Sequence, residues 1–100
     1  PGLDKPIYTI SVASEILETH PRTLMLYESV GLVRPARTST NRRRYSQRDV
    51  NRLRVIQTLT RRHGMNLAAV RYVLDLLRRL REHGIEFPRS LGDLDASAVS

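Results

Sequence analysis

Ten arginines and a single acid, Asp49, lie between Arg34 and Arg62, and apolar residues run through the same stretch at a fixed interval. Val50, Leu53, Ile56 and Leu59 recur every three residues, which is helical spacing and not the pattern of a disordered basic tail. The charge is therefore displayed by a folded surface. A folded surface rich in arginine most often meets a polyanion, so nucleic acid is the first partner to consider.

One hundred residues allow one domain, or one domain with a short oligomerisation element, around a single modest core. With 40% hydrophobic residues, 5% aromatic and no Trp, the expected core is small, aliphatic and helical. The formal charge is +7, and 16 of the 17 basic residues are arginine, Lys5 being the exception. Arginine's planar fork binds phosphate bidentately and stacks on bases, which suits nucleic acid; a GC-rich genome would favour arginine codons equally well. Without cysteine there is no disulfide framework, zinc ribbon or thiol sensor. No apolar run approaches the ~20 residues that span a bilayer, and no signal-peptide pattern opens the chain. The expectation is a soluble cytoplasmic protein with no cofactor, metal or membrane partner. Pro1 in first place suggests a processed or trimmed chain.

Residues 1–6 hold two prolines, a glycine and charged residues and read as a flexible arm. Ile7 to Ile10 reads as a short extended piece, because Tyr8 and Thr9 favour strand. Ser11 is the expected N-cap of a first helix ending near Glu18 or Thr19, with Val12, Ile16 and Leu17 facing inward. Pro21 suits the first position of a second helix, where Leu24, Tyr27 and Val30 keep helical spacing and Gly31 follows the end. Two helices joined so closely form a helix-turn-helix.

The helical period vanishes from Leu32 to Tyr45. Short strands at Leu32-Val33, Ala36 to Thr38 and Arg43 to Tyr45, around a polar loop at 39–42, read as a wing beside the helix-turn-helix. Ser46 caps a third helix running to about His63, Gly64 ends it, and Asn66 caps a fourth. In the fourth, Leu67, Val70, Val73, Leu74, Leu77 and Leu80 make an apolar stripe whose spacing alternates three and four, as a coiled-coil seam does. Gly84 closes that helix. Ile85 to Ser100, with Pro88 and small polar residues, reads as a tail that is partly disordered or weakly docked. The expected division is 1–6 arm, 7–65 winged-helix domain, 66–84 fourth helix and dimerisation element, 85–100 tail.

An enzyme is not expected. His20, His63 and His83 are scattered at helix ends, none beside a nucleophile in sequence, and the last two suit the negative end of a helix dipole. The acids do not pair in a way that suggests a metal site or an acid/base couple. The second helix is instead the recognition candidate, its N-terminal half presenting Arg22, Thr23 and His20 to a major groove. Arg22 has the reach for guanine O6 and N7 or for a phosphate. Tyr27 combines a core-packed ring with a hydroxyl available to a phosphate. The wing carries Arg37, Arg42, Arg43, Arg44 and Tyr45. Alternate strand residues share a face, so Arg42 and Arg44 oppose Arg43 and Tyr45, and one of the two faces is expected on DNA. A loop arginine also suits a narrow minor groove. The third helix opens Ser46-Gln47-Arg48, whose free N–H groups are candidates to hold a phosphate with Arg48. Arg52, Arg54, Arg61 and Arg62 read mostly as a solvent face.

The order helix, turn, helix, arginine-rich hairpin, helix, helix resembles the winged-helix DNA-binding domain of the MerR family, a mainly α fold. The resemblance is carried by Tyr8-Thr9-Ile10-Ser11-Val12-Ala13, Arg22-Thr23-Leu24 with Tyr27-Glu28, Val30-Gly31-Leu32 and Pro35-Ala36-Arg37. It continues through Arg43-Arg44-Tyr45-Ser46, Asp49-Val50, Leu53-Arg54 and Asn66-Leu67-Ala68-Ala69-Val70. Within the family the chain is most similar to the heat-shock repressor branch, HspR, through His20-Pro21, Gly31-Leu32-Val33, Arg37-Thr38-Ser39 and Gly64-Met65-Asn66-Leu67-Ala68. The resemblance implies a repressor of chaperone operons that binds inverted repeats in double-stranded DNA, with a DnaK-type chaperone as co-repressor. It also implies a homodimer, paired here through Leu67, Val70, Leu74, Leu77 and Leu80, although the same stripe suits a plain intramolecular core and some of it must pack on the third helix in any case. The DNA-binding set becomes Ser11, His20, Arg22, Thr23, Tyr27, Arg37, Arg42, Arg43, Arg44, Tyr45 and Arg48.

Three features depart from the family pattern. Met25 stands where many members carry an arginine, Thr40-Asn41-Arg42 replaces a glycine-rich loop, and the apolar stripe ends early at Gly84. The metal- and thiol-sensing branches need cysteines that are lacking here. Two other readings use the same residues: an architectural DNA-bending protein like phage excisionases, cooperative without a stable dimer, and an interaction module whose basic face meets an acidic protein.

Overall fold

Helices form where the chain can cap them and stop where it cannot continue them. The computed structural model describes residues 2–100; Pro1, the head of the expected arm, lies outside the described residues. The elements run α1 (Ile10–Ile16), α2 (Pro21–Ser29), β1 (Ala36–Arg37), β2 (Arg43–Arg44), α3 (Gln47–Arg61) and α4 (Leu67–Glu82), followed by 3-10 turns at Arg89–Leu91 and Ala96–Ala98. They fall into two compact units, Pro1–Leu53 and Arg54–Ser100, the division lying inside α3.

In the first unit, Thr9 rather than Ser11 caps α1, its hydroxyl accepting from the Val12 N–H. Ser11 is the second residue of the helix. The expected strand over Ile7 to Ile10 reduces to one bridge, in which the Tyr8 N–H donates to the Tyr45 carbonyl and the Tyr45 N–H to the Tyr8 carbonyl. The helix ends at Ile16, earlier than expected, because Glu18 takes a left-handed φ of 51°. Ala13 and Leu17 face the core, while Val12 is exposed, against expectation. Pro21 opens α2, and Gly31 at φ 78° turns the chain after it, a conformation open to glycine because it lacks a Cβ.

Leu24, Tyr27, Leu32, Val33, Tyr45, Val50 and Leu53 are also buried in this unit. Leu32 and Val33 form no strand; they are buried in the connection itself. Each fully buried aliphatic side chain contributes about 1.5–3 kcal/mol relative to exposure. Two of those residues flank the wing, whose strands of two residues each would not hold by their own ladder. The register sets Ala36 opposite Arg44 and Arg37 opposite Arg43.

The arm is also tied down. The Arg48 N–H donates to the Leu3 carbonyl at 2.9 Å, and its guanidinium pairs with Asp4 at 2.7 Å. A flexible arm is thus replaced by one stitched to the start of α3, for which its single acid supplies the partner.

In the second unit, Asn66 caps α4 through its side-chain oxygen, as expected. Val70, Leu74 and Leu77 are buried there, with Leu94, Ala98 and Val99 of the tail. The tail is held at its middle and near its end: Asp93 accepts from His63 and pairs with Arg62, and Arg81 donates to the carbonyls of Ser97 and Val99. Weak docking was expected from its small polar composition; three buried apolar residues and one arginine bonded to its backbone give it more purchase than composition implied. Among the described residues, no helix is long and apolar enough to cross a membrane.

Candidate nucleic-acid interface

The site belongs to the first unit and begins at the start of α2. His20 caps that helix, its Nδ1 accepting from the Arg22 N–H at 3.0 Å, so the ring is fixed against the backbone. Accepting there requires the tautomer with its proton on Nε2, which leaves the Nε2–H as the ring's remaining donor. Arg22, exposed, and Thr23, half-buried, lie in the first turn of α2, and Arg22 makes no ion pair among the described residues. Ser11 lies exposed on α1, its carbonyl accepting from the Ser14 hydroxyl.

The wing is bound to α2 by one carboxylate. Glu28 Oε1 accepts from Arg43 Nε at 2.6 Å, and Oε2 accepts from an Arg37 amino group at 2.7 Å. Burial pushes the Glu28 carboxyl up, but the hydrogen bonds and charges of Arg43 and Arg37 outweigh it and hold it below the usual glutamate range. The same contact raises the Arg43 guanidinium. Between β1 and β2 the loop closes tightly: the Thr38 N–H donates to the Arg42 carbonyl, the Arg42 N–H to the Thr38 hydroxyl, and Asn41 sits at φ 62°. Asparagine tolerates that left-handed conformation better than most residues. Arg42 is left exposed at the loop's end, with no ion pair among the described residues.

Alternation along β2 is now resolved. Tyr45 is 0% exposed and Arg43 turns to Glu28, so the Arg43 and Tyr45 face is the inner one. Arg42 and Arg44 form the outer face. Tyr45 is therefore removed from the candidate contacts: its ring is core, and its hydroxyl finds no hydrogen-bond partner. Burial, reinforced by the Glu28 charge, pushes that phenol up to about 12. Tyr27, at 6% exposure, is likewise a core aromatic with little surface for a second role. Arg44 is half-buried and donates to the Arg43 carbonyl.

The phosphate site expected at the start of α3 is not open. Two of its first N–H groups are taken, Asp49's by the Ser46 hydroxyl and Arg48's by the Leu3 carbonyl, while the Asp49 carboxylate accepts from the Ser46 N–H. Ser46 and Asp49 thus form a reciprocal capping box. Arg48 spends its guanidinium on Asp4, which lowers that carboxyl. Arg52 is not solvent face either, since its Nε donates to the Leu32 carbonyl at 2.6 Å.

Two further candidate residues are not singled out by the sequence. Glu28 stands in the sequence only within the family-like Tyr27-Glu28 pair, although a lone acid in a basic region is a signal for a charge clamp. Arg34, exposed and without an ion pair among the described residues, is a further outward cation.

On α4, the residues expected to pair subunits are divided. Val70, Leu74 and Leu77 are buried within the chain, because the stripe serves its own core; Leu67 and Leu80 are half-buried. The large apolar side chains left outside are Tyr72, 69% exposed, and Leu76, 61% exposed.

A helix-turn-helix followed by a hairpin clamped to its second helix defines a winged helix-turn-helix protein. The chain belongs to the MerR family of helix-turn-helix regulatory proteins, which matches residues 8–77. It is 38% identical over 97 residues to a Streptomyces coelicolor protein carrying the name heat shock protein HspR, covering 97% of this chain and 64% of that one. It is 35% identical over 69 residues to the HTH-type transcriptional regulator GlnR of Bacillus anthracis, and equally to that of Bacillus cereus, covering 69% of this chain and 53% of each. The chain thus spans between half and two thirds of the length of these relatives.

Proposed function

We propose that this chain is the sequence-specific DNA-binding part of a transcription regulator, a dimeric repressor of stress genes that acts in the bacterial cytoplasm on an inverted repeat. The observation that carries the reading is the Glu28 clamp, which joins the wing's two strands to α2, the two elements that carry the proposed cationic face. In this reading α2 enters the major groove with Arg22 and Thr23 at base edges, and Arg34, Arg42 and Arg44 lie along the backbone. Likeness to the heat-shock relative supports stress genes as targets; chaperone operons and a DnaK-type co-repressor are what resemblance to that branch implies.

The test is titration of a duplex selected from a random pool, over a salt series. If each subunit neutralises roughly four phosphates, log K against log salt should fall with a slope of about −7 for a dimer. Arg42→Ala should weaken binding to all sequences alike and flatten that slope by about 1 per subunit. Arg22→Ala should instead relax sequence preference, at ~1–3 kcal/mol for a lost base contact. A slope near −2, or equal losses on selected and mixed DNA for Arg22→Ala, would defeat the footprint.

Burial of Val70, Leu74 and Leu77 supports a second reading, cooperative binding without a stable solution dimer, as in excisionases. Sedimentation at micromolar concentration separates the two, and Leu76→Glu should abolish any dimer that forms on the exposed side of α4.

A further inference from the structure

Arg37 and Arg43 stand directly opposite each other across the hairpin, and both end on the one carboxylate of Glu28. We propose that Glu28 is a positioning residue for sequence discrimination: it withdraws these two arginines from the phosphate-binding inventory and uses them to fix the wing's place on the recognition helix. The proposal rests on the DNA-binding reading and refines which of its arginines do what.

The physical case has three parts. Like charges directly opposite each other destabilise a strand pair, and strands of two residues have little else to resist the repulsion. A carboxylate between the guanidiniums reverses the sign of that interaction. Next, the carboxylate sits in the last turn of α2, eight residues past the cap at His20, so whatever holds the hairpin also sets its distance from the groove-reading end. Finally, the three side chains are only partly shielded, with 36% of Arg37, 25% of Arg43 and 22% of Glu28 exposed. A phosphate would therefore compete with the carboxylate for the same N–H groups. While Glu28 holds them, these arginines contribute geometry rather than counterion release, which falls to the outward set of Arg34, Arg42 and Arg44.

Removing the carboxylate should consequently move binding in two directions at once. The unclamped wing loses its fixed register with α2, while two guanidiniums become available to any phosphate. Loss of fold alone would weaken all binding together.

The experiment compares the unaltered protein with Glu28→Gln, Arg37→Ala and Arg42→Ala on two short duplexes of equal length, one selected from a random pool by the unaltered protein and one of mixed sequence, over a salt series. Glu28→Gln is expected to bind the mixed duplex more tightly, with a slope steeper by about 1–2 per subunit, and to lose about tenfold or more of its preference for the selected duplex. Arg37→Ala is expected to lose preference with its slope unchanged, whereas Arg42→Ala flattens the slope by about 1 per subunit and keeps the preference. Equal weakening of Glu28→Gln on both duplexes in a folded protein, or an Arg37→Ala slope as flat as that of Arg42→Ala, overturns the proposal. If Glu28→Gln does not fold, the Arg37→Ala comparison decides alone. An unaltered protein with no salt dependence on either duplex overturns the DNA-binding reading itself, and the assignment of Glu28 with it.

Discussion

Tyr45 is placed where its phenol has no partner, and this makes a direct prediction. A buried hydroxyl without a hydrogen bond loses its water and gains nothing in return, a cost of about 1–3 kcal/mol. Tyr45→Phe keeps the ring in the core and removes the uncompensated group. Its melting temperature should stay level or rise by several degrees, since about 1 kcal/mol shifts a domain of this size by roughly 4–8 °C. DNA affinity should not change, because the side chain has no outer surface. A fall in melting temperature would mean that the hydroxyl is satisfied in solution. The sequence offered Tyr45 as a contact because it ends a run of three arginines, and strand alternation left both faces open. Cationic character at single positions was legible, but destination was not. Arg37 finds Glu28 nine residues away, Arg43 finds it fifteen away, and Arg48 reaches Asp4 across forty-four. Such pairings depend on the chain path and have no local signature.

At the scale of elements, the best-signalled starts and stops held because each rests on short-range chemistry. Pro21 opens α2, Asn66 caps α4 and Gly64 follows α3 with φ 65°. The start of α3 was read from Ser46 alone, but the structure supplies the second half of the cap in Asp49. Replacing either partner by alanine should cost ~1 kcal/mol, as loss of an N-cap typically does. The double substitution should cost less than the sum of the singles, because the two hydrogen bonds form one reciprocal unit. Urea unfolding of the three variants measures this; strictly additive losses would show two independent contacts. The start of α1 was misread by two residues because Thr9 and Ser11 are both good caps, and tertiary pairing of Tyr8 with Tyr45 favours the earlier one. The stripe on α4 was legible as apolar, but its partner was not. Helical spacing of 67, 70, 74 and 77 is the same for an internal core as for a dimer seam, and here Val70, Leu74 and Leu77 went to the core.

For the molecule as a whole, each compact unit contains a carboxylate held in its charged form by cations, and both point to the same response to acid. In Pro1–Leu53 this is Glu28, where the pull of Arg43 and Arg37 exceeds the opposing effect of burial. In Arg54–Ser100 it is Asp93, where burial raises the carboxyl but the hydrogen bond and charge of His63, with the charge of Arg62, lower it further. A carboxyl depressed in the folded state binds its proton more weakly there than in the unfolded chain. Its contribution is therefore complete above the ordinary values of 4.5 for Glu28 and 3.8 for Asp93, and is lost as pH falls through the lower folded-state values. Protonation also raises a charge that is already +7 at neutral pH, adding self-repulsion to the same side. Melting temperature should thus be flat just above pH 5 and fall steadily below it. Glu28→Gln and Asp93→Asn remove the two clamps, so the double variant should start lower at neutral pH and lose less on acidification than the unaltered protein. Both proteins are to be melted at matched ionic strength, because screening alone changes the repulsive part. Parallel acid limbs would show that self-repulsion, and not the two ion clusters, governs the acid sensitivity of the fold.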